Sequence, residues 1–391
     1  METSPQQPFK QNPSLIYLFT SFFRLGATAF GGPAMVAYIR RMAVEKKHWL
    51  DEQSARDGVV LCQTIPGATA MQMSAYVGLR ARGVAGAAAS FIGFGLPAFL
   101  YMMILSALYA RTHTLPAVVS IFNGLQAIVV AVVANATLSF GKTTMKNWKN
   151  VLNAIIAAGL FGLKVNPILV ILLTAFVGLF LYSKQPQPLG MSSAKKRHAP
   201  KSLFLILSLV AIGFGVLYLL DTKLFSLATL MFRIDLFAFG GGFASVPLMF
   251  HEIVEVRSWL DGPTLLNGIV LGQITPGPIV ITATFIGYLL KGSLGGLIAT
   301  ISVFLPSFMI LIGIVPYFDR LRGSPYFKKV MTGILCSFVG LLLTVTIRFA
   351  LNITWDLTRI LLSVTALVAL LLKVDILWVV LIGTIISIIV L

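Results

Sequence analysis

Chemically active side chains are scarce in this sequence. Its 391 residues include only 13 Asp and Glu, four His and two Cys. There is no pair of carboxylates at a catalytic spacing, no cluster of metal ligands and no Ser–His pair, so a membrane-embedded enzyme has little support. We therefore expect no catalytic residue, no metal and no cofactor. Cys62 and Cys336 both lie in apolar runs, where small core residues are a simpler interpretation than a disulfide or a reactive thiol.

Apolar residues dominate what remains. Hydrophobic residues make up 57% of the chain, charged residues 11%, and the mean hydropathy is +0.91. These values predict an all-α polytopic protein embedded in a lipid bilayer. Runs long enough to cross the hydrocarbon core lie at 14–30, 84–110, 117–140, 203–220, 296–315, 331–347 and 359–372. Shorter or broken runs lie at 57–80, 151–163, 166–182, 225–239, 266–290 and 374–391, which brings the predicted number of membrane segments to about 12–13.

The N-terminal tail and the charge of the chain fit a polytopic membrane protein. The polar tail, residues 1–13, is not followed by a basic region with a small-residue cleavage site, so we expect no removable signal peptide. The formal net charge is +17, but the basic residues fall in short loops between apolar runs. The positive-inside rule explains this pattern without a nucleic-acid partner. A second interpretation is that the charge also attracts anions.

The sequence contains one unit twice. Shifted by 209 or 210 positions, the chain aligns with itself, so that "FGG", "WLD" and "PG" recur in the same order. The predicted division is a tail, 1–13, a first membrane repeat, 14–182, a basic linker with a connecting membrane segment, 183–222, and a second repeat, 223–391. His48, His113, His198 and His251 do not recur between the repeats, which argues against a histidine relay.

Loop charges predict how the two repeats are oriented. Loop 40–56 carries five basic residues, whereas its counterpart, 249–262, carries only Arg257 among three acids. The loop near Arg111 has one basic residue and its counterpart near Arg320 has four. Because Lys and Arg favour the cytoplasmic side, equivalent loops lie on opposite sides of the membrane. The chain is therefore predicted to be an inverted repeat.

Each repeat breaks its own helices inside apolar sequence. The two glycines at 31–32, the three glycines at 240–242 and the Pro-Gly steps at 66–67 and 276–278 interrupt otherwise hydrophobic runs. Broken backbone at membrane depth occurs where it is buried in protein or lines a watery cavity. Helices that restart there would present free N–H groups and positive dipole ends, which bind anions. Close helix packing is the alternative explanation for any single glycine, and we prefer it for Gly86, Gly93, Gly295 and Gly296.

The candidate substrate-binding residues are those at the breaks and the two arginines that precede them. They are Arg24, Gly31, Gly32, Thr64, Pro66, Gly67, Thr69, Arg233, Gly240, Gly241, Gly242, Thr275, Pro276, Gly277 and Pro278. An ionisable group at membrane depth is a functional candidate by default, although an arginine can also extend to the interface. Asp235, two residues beyond Arg233, is a candidate local partner for that arginine.

A second set consists of polar residues that recur outside the breaks. Glu45, Asp51, Gln63, Glu255, Asp261 and Gln273 are candidates for ion coupling or gating. For the two glutamates, an ion pair or a packing role is an equal alternative. Asp51 and Asp261 also have the position expected of helix N-caps.

These motifs resemble those of the chromate ion transporter family, whose long members consist of two homologous membrane halves. The resemblance rests on "FGGP", "WLDE" and "QTIPG" in the first half, and on "FGGG", "WLDG", "GQITPGP" and "FLPSF" in the second. It implies export of chromate from the bacterial cytoplasm through the inner membrane, with sulfate as a close analogue. Ala68 after Pro66-Gly67 departs from the Pro-Gly-Pro of many chromate-associated members, which leaves the particular oxyanion open.

Two alternatives accompany this interpretation. A sulfate-like uptake carrier or channel would share the same breaks, and the sequence separates it poorly from an exporter. A scaffold protein would not need matched breaks. A homodimer is left open, since no feature of the sequence argues for or against one.

Overall fold

The structure, a computed structural model, describes residues 13–30, 34–181, 201–318 and 323–390. Within these ranges it consists of 15 α-helices and no strand. In the first repeat they are α1 (Leu15–Thr28), α2 (Ala34–Arg41), α3 (Glu52–Thr64), α4 (Thr69–Thr112), α5 (Pro116–Thr144), α6 (Trp148–Gly162) and α7 (Pro167–Leu181). The connecting segment is α8 (Lys201–Leu220).

The second repeat follows the same order. Its helices are α9 (Thr222–Leu236), α10 (Ser245–Met249), α11 (Gly262–Ile274), α12 (Thr282–Ile314), α13 (Pro325–Leu351), α14 (Leu357–Leu371) and α15 (Ile376–Val390). Short π-helical turns at Met42–Lys46 and Phe250–Val256 extend α2 and α10. The all-α prediction is confirmed, but the predicted domain boundaries stay a prediction, since residues 1–12 and 182–200 lie outside the described ranges.

One long helix in each repeat is in fact a folded hairpin. Gly83, at φ +64°, interrupts α4, and the two arms fold back so that the Ser90 hydroxyl donates to the carbonyl of Ser74 at 2.7 Å. Gly292, at φ +62°, does the same in α12, where the hydroxyl oxygens of Thr284 and Thr300 are 2.6 Å apart. Only glycine adopts this backbone without strain.

Glycines allow the two arms of each hairpin to touch. A Cβ added at Gly86 would lie 2.4 Å from the carbonyl oxygen of Gly78, and one at Gly295 would lie 2.2 Å from that of Gly287. The packing role predicted for Gly86 and Gly295 is therefore confirmed.

The last two helices of each repeat pack against a long helix of the other repeat. The end of the first repeat packs on α13, where a Cβ at Gly333 would meet the carbonyl of Thr174 at 2.2 Å. The end of the second repeat packs on α5, where a Cβ at Gly124 would meet the Ser387 hydroxyl at 1.7 Å. Each repeat thus completes the core of the other.

The direction of the helices shows that the repeats are inverted. Helix α6 runs parallel to α13, since Gly340 lies against Ala154 and the Thr344 hydroxyl donates to the carbonyl of Ala158 at 3.2 Å. Helix α5 ends where α6 begins, so it runs antiparallel to α13, its own counterpart. Equivalent helices of the two repeats therefore cross in opposite directions, as predicted from the loop charges.

In the part of the chain that the structure describes, five helical segments are long and apolar enough to cross a membrane. They are Thr69–Thr112, Pro116–Thr144, Leu203–Leu220, Ile279–Tyr317 and Pro325–Leu351. Helix α1 has 14 residues, which span only about 21 Å, less than the hydrocarbon core. The sequence-based count of 12–13 segments did not separate such half-length helices from full crossings. Large apolar side chains such as Phe204, Leu219 and Ile389 cover the outer surface, as expected against lipid.

Candidate anion site at the crossing of the two repeats

The broken segments of the two repeats are hydrogen-bonded to each other. The N–H of Gly67 donates to the carbonyl of Ala238 at 2.9 Å, and the N–H of Gly277 donates to that of Ala29 at 3.0 Å. Gly67 and Gly277 are equivalent in the repeat, as are Ala29 and Ala238. The Pro-Gly break of each repeat is therefore hydrogen-bonded to the residues that come just before the glycine break of the other repeat.

The Pro-Gly breaks end one helix and start the next, as predicted. Helix α3 ends at Thr64, Gly67 has φ +116°, and α4 begins at Thr69 with Ala68 as an N-cap that offers no side-chain acceptor. In the second repeat Gly277 has φ +118°, and a 3-10 turn, Ile279–Ile281, leads into α12. These starts leave backbone N–H groups directed out of the helix.

The glycine break of the second repeat lies against both helix starts, the one at Thr69 and the one at Ile279. Gly240 and Gly241 have φ of +90° and +91°, which a side chain would strain. A Cβ on Gly241 would lie 3.0 Å from the Thr69 hydroxyl, and a Cβ on Gly242 would lie 3.1 Å from Ile279. The two Pro-Gly breaks and the glycine break of the second repeat are therefore adjacent in space. Gly31 and Gly32 lie outside the described residues.

The threonines of the breaks differ in what they can offer a ligand. The hydroxyls of Thr64 and Thr275 donate to carbonyls of their own helices, Val60 at 2.5 Å and Leu271 respectively, so neither is free to donate elsewhere. The half-buried Thr69 hydroxyl forms no bond to another described residue. Pro66, Pro276 and Pro278 have no N–H and can only shape the backbone. Thr69 is therefore the hydroxyl donor best placed for an anion.

The two arginines have different surroundings. Arg24 is exposed on α1, whereas Arg233 forms an ion pair with Glu252, which also binds Arg257. The suggestion that Asp235 pairs with Arg233 is wrong. Sequence comparison of the repeats missed Glu252 because its counterpart is Met42, which carries no charge.

The recurring polar residues also divide by environment. Asp51 and Asp261 are the N-caps of α3 and α11, accepting from the N–H of Ser54 at 2.7 Å and of Thr264 at 2.8 Å, so their capping role is confirmed. Donation by the backbone and hydroxyl of Ser54 holds the pKa of Asp51 below its usual value. Gln63 is exposed, and the Gln273 amide nitrogen is buried without a partner among the described residues.

The two glutamates are not equivalent in space. Glu45 is exposed and lies 3.5 Å from Arg41. Glu255 is largely buried and binds both His251 at 2.9 Å and Arg348 at 2.6 Å. Arg348 also donates to the carbonyl of Phe161 at 2.5 Å and so joins the two repeats. These contacts favour the ion-pair alternative for Glu255.

One buried carboxyl group was not among the predicted site residues. The Asp235 Oδ2 atom accepts from the N–H of Ser307 at 3.0 Å and from its hydroxyl at 2.6 Å. The Ser307 oxygen in turn accepts from the N–H of Ala68 at 2.8 Å. The counterparts of Asp235 and Ser307 are Gly26 and Ala98, so a search for recurring residues could not find this pair.

A cavity beside the breaks is apolar. It has a volume of about 450 Å³, lies between α4 and α12, and is lined by residues that include Met71, Phe91, Gly95, Thr300, Phe304 and Phe308. A dianion would lose its hydration there without gaining donors. The crossing of the breaks, with its N–H groups and the Thr69 hydroxyl, offers better chemistry for an anion.

Comparison with known proteins agrees with this geometry. The family model described as chromate transporter matches residues 16–179 and 225–388, one match in each repeat. The chain belongs to the chromate transporter family. It is 46% identical over 385 residues to an uncharacterized transporter of Methanocaldococcus jannaschii, covering 97% of this chain and 95% of its relative.

Two further relatives of the chromate transporter family carry the name chromate transport protein. The one from Cupriavidus metallidurans is 29% identical over 95% of this chain and 90% of its own length. The one from Pseudomonas aeruginosa is 27% identical over 85% of this chain and 80% of its own length. No solved structure matches the chain. Family membership and the apolar helices establish a multi-pass membrane protein of a transporter family.

Proposed function

We propose that this protein exports an oxyanion, chromate in the first instance, across the cytoplasmic membrane and so confers chromate resistance. The observation that carries the proposal is the pair of reciprocal bonds, Gly67 to Ala238 and Gly277 to Ala29, which gathers the helix breaks at the crossing of the repeats. The names of two relatives, chromate transport protein, support the choice of substrate.

The proposed binding chemistry uses backbone donors. A tetrahedral dianion needs several N–H or O–H groups to replace its lost hydration. The starts of α4 and of the turns at Gly242 and Ile279 present such N–H groups, and the Thr69 hydroxyl adds one more. Gly67, Gly240, Gly241 and Gly277 hold the backbone open, and Pro66, Pro276 and Pro278 fix its course. The exposed Arg24 attracts anions, while Arg233 acts through its pair with Glu252.

The proposed orientation places loop 40–56 in the cytoplasm. Lys149 at the start of α6 donates to the carbonyl of Leu181 at the end of α7, so these ends lie on the same face. Lys47 donates to the Tyr17 hydroxyl at 2.6 Å and Arg82 donates to the carbonyl of Pro13 at 2.8 Å, so loop 40–56, the start of α1 and the turn at Gly83 share one face. The second arm of α4 leaves that face and α5 returns to it, so it is also the face on which α6 begins. The face that carries most of the basic residues is the cytoplasmic one by the positive-inside rule.

Flux measurements in proteoliposomes test the proposal. Purified protein should carry radiolabelled chromate down its gradient at a rate well above that of protein-free liposomes. Unlabelled sulfate in excess would compete if the site recognises tetrahedral dianions in general. Flux of neither anion would overturn the proposal. Sulfate flux without chromate flux would replace chromate by sulfate as the substrate.

A further inference from the structure

Asp235 is a buried carboxyl group without a cation. Its exposed fraction is 0%, and among the described residues no Lys, Arg or His nitrogen lies within ion-pair distance of it. The neighbouring Arg233 is held by Glu252. A buried carboxylate that lacks a cation is costly, whereas the neutral acid avoids most of that cost.

The hydrogen bonds of Asp235 are also incomplete. Oδ2 accepts from the N–H and the hydroxyl of Ser307, but the buried Oδ1 has no partner among the described residues. The buried Oε1 atom of Gln72 likewise lacks a donor. A Cβ added at Gly67 would lie 3.2 Å from Asp235 Oδ2 and 2.7 Å from Gln72 Nε2, so both side chains approach the same point of the break. The cluster lacks donors, and a proton on Asp235 supplies one.

The elements packed against α9 bring no charge to Asp235. Helix α12 contributes Ser307, the break contributes Gly67 and Ala68, and α4 contributes Gln72. The described titratable groups on α9, its N-cap and the surrounding elements are Asp221, Lys223 and Arg233 of α9, Tyr288 and Lys291 of α12, Tyr218 of α8, Tyr76, Arg80, Arg82, Tyr101, Tyr109 and Arg111 of α4, and His251, Glu252 and Glu255 of the π-helical turn. None of them bonds to Asp235. Lys291 pairs with Asp221, His251 with Glu255, and Tyr76 donates to the carbonyl of Ser54.

Ser307 connects this carboxyl group to the proposed anion site. Its oxygen accepts from the N–H of Ala68, the N-cap residue of α4, while its hydroxyl donates to Asp235. An ionised Asp235 would repel a dianion at the start of α4 and would compete with it for the positive helix end. A neutral Asp235 would do neither.

We propose that Asp235 is a proton-binding site of this transporter and that the oxyanion binds preferentially when Asp235 carries the proton. The inference rests on the proposed anion site. Because linkage is reciprocal, binding of the anion also favours uptake of the proton. The first repeat has Gly26 and Ala98 at the equivalent positions, so the chain carries one such site and not two.

The test is chromate binding to the purified protein between about pH 6 and pH 9, by equilibrium dialysis with a radiolabel. Above the pH at which Asp235 ionises, the affinity of the wild type should fall by up to about tenfold per pH unit, the limit for one linked proton. The Asp235→Asn variant should lack this fall. Protonation of chromate itself affects both proteins equally and cancels in the ratio of their affinities.

Proton uptake gives a second and direct readout. In weakly buffered solution above the pH at which Asp235 ionises, with a pH-sensitive dye, chromate should cause the wild type to take up as much as about one proton per bound anion, and Asp235→Asn should take up none. The control is Asp221→Asn, which alters a partly exposed carboxylate paired with Lys291 and should keep the wild-type behaviour. If Asp235→Asn does not fold, Ser307→Ala replaces it, because loss of the hydroxyl donor should move the fall in affinity to higher pH.

The outcomes separate the two proposals. No chromate binding by the wild type at any pH would overturn both. Binding with the same pH profile and proton uptake in wild type and Asp235→Asn would overturn the proton site alone, as would an unchanged profile in Ser307→Ala. A requirement for Na⁺ in place of protons, lost in Asp235→Asn, would also overturn it and assign the site to sodium.

Discussion

The hydroxyl oxygens of Thr137 and Thr346 lie 3.3 Å apart, although 209 positions separate the two residues in the chain. That separation is the period of the repeat, so each threonine meets its own counterpart. Two equivalent residues can touch in this way only near the pseudo-two-fold axis that relates the repeats. The axis passes between α5 and α13, and the helix breaks bond to each other across the same axis.

The glycine break should not tolerate a side chain. Gly241→Leu should abolish chromate transport, because Gly241 has φ +91° and its added Cβ would come within 3.0 Å of the Thr69 hydroxyl. Initial chromate flux in proteoliposomes is the measurement, with expression and gel filtration checked in parallel. Gly213→Leu on α8 is the matched control, since a Cβ there meets nothing within 4 Å. Transport that survives in Gly241→Leu would make the break a packing feature only.

The inverted arrangement predicts labelling from opposite sides of the membrane. Single cysteines at Gln53 and Val256, both exposed and near equivalent loops, should react with an impermeant reagent from opposite faces. The native Cys62 and Cys336 are buried and would be replaced by alanine first. Gln53 should label from the cytoplasmic face. Labelling of both positions from one face would contradict the inversion.

Arg348 should be a structural residue. It binds Glu255 at 2.6 Å and the carbonyl of Phe161, and its side chain is only 13% exposed. Arg348→Ala leaves Glu255 with the His251 ring alone and should destabilise the fold by about 3–5 kcal/mol. Thermal unfolding in detergent would show the loss. Arg41→Ala, which breaks the exposed pair with Glu45, should cost about 0–1 kcal/mol, and equal effects of the two variants would argue against the structural role of Arg348.

Self-comparison of the sequence predicted the helix breaks because evolution of a repeat keeps the same residues at the same spacing. It also predicted the N-caps Asp51 and Asp261 and the inversion. It could not find Asp235 or Glu252, whose counterparts are Gly26 and Met42. A property that belongs to one repeat leaves no signal in the comparison of two.

The fold-back of α4 and α12 was missed for a different reason. Gly83 and Gly292 lie in the short gaps between predicted apolar runs, directly after Arg82 and Lys291, and the sequence of such a gap does not show how sharply the chain turns there. The pairing of the arms depends on contacts such as Ser74 with Ser90, which become visible only in three dimensions. The packing of the last two helices of each repeat against the other repeat is equally long-range.

The direction of transport should follow the membrane potential. Moving one charge across 100 mV is worth about 2.3 kcal/mol, so a dianion that leaves an inside-negative cell gains about 4.6 kcal/mol. By the rule of tenfold per 1.4 kcal/mol, this supports an outside-to-inside ratio on the order of 10³ without a coupled ion. Uptake of the same dianion would need at least two co-transported cations to cancel its charge.

Valinomycin and potassium gradients of either sign test this energetics in proteoliposomes. A potential that is negative on the chromate-loaded side should accelerate chromate release, and the reverse potential should slow it. If the proton on Asp235 leaves together with a dianion, one net negative charge still moves, so the rate should keep the same sign of response at about half the charge. The Asp235→Asn variant carries no such proton and should respond with the full charge of two. A wild-type rate that is indifferent to potential would exclude both schemes and would require a second cation to move with the anion.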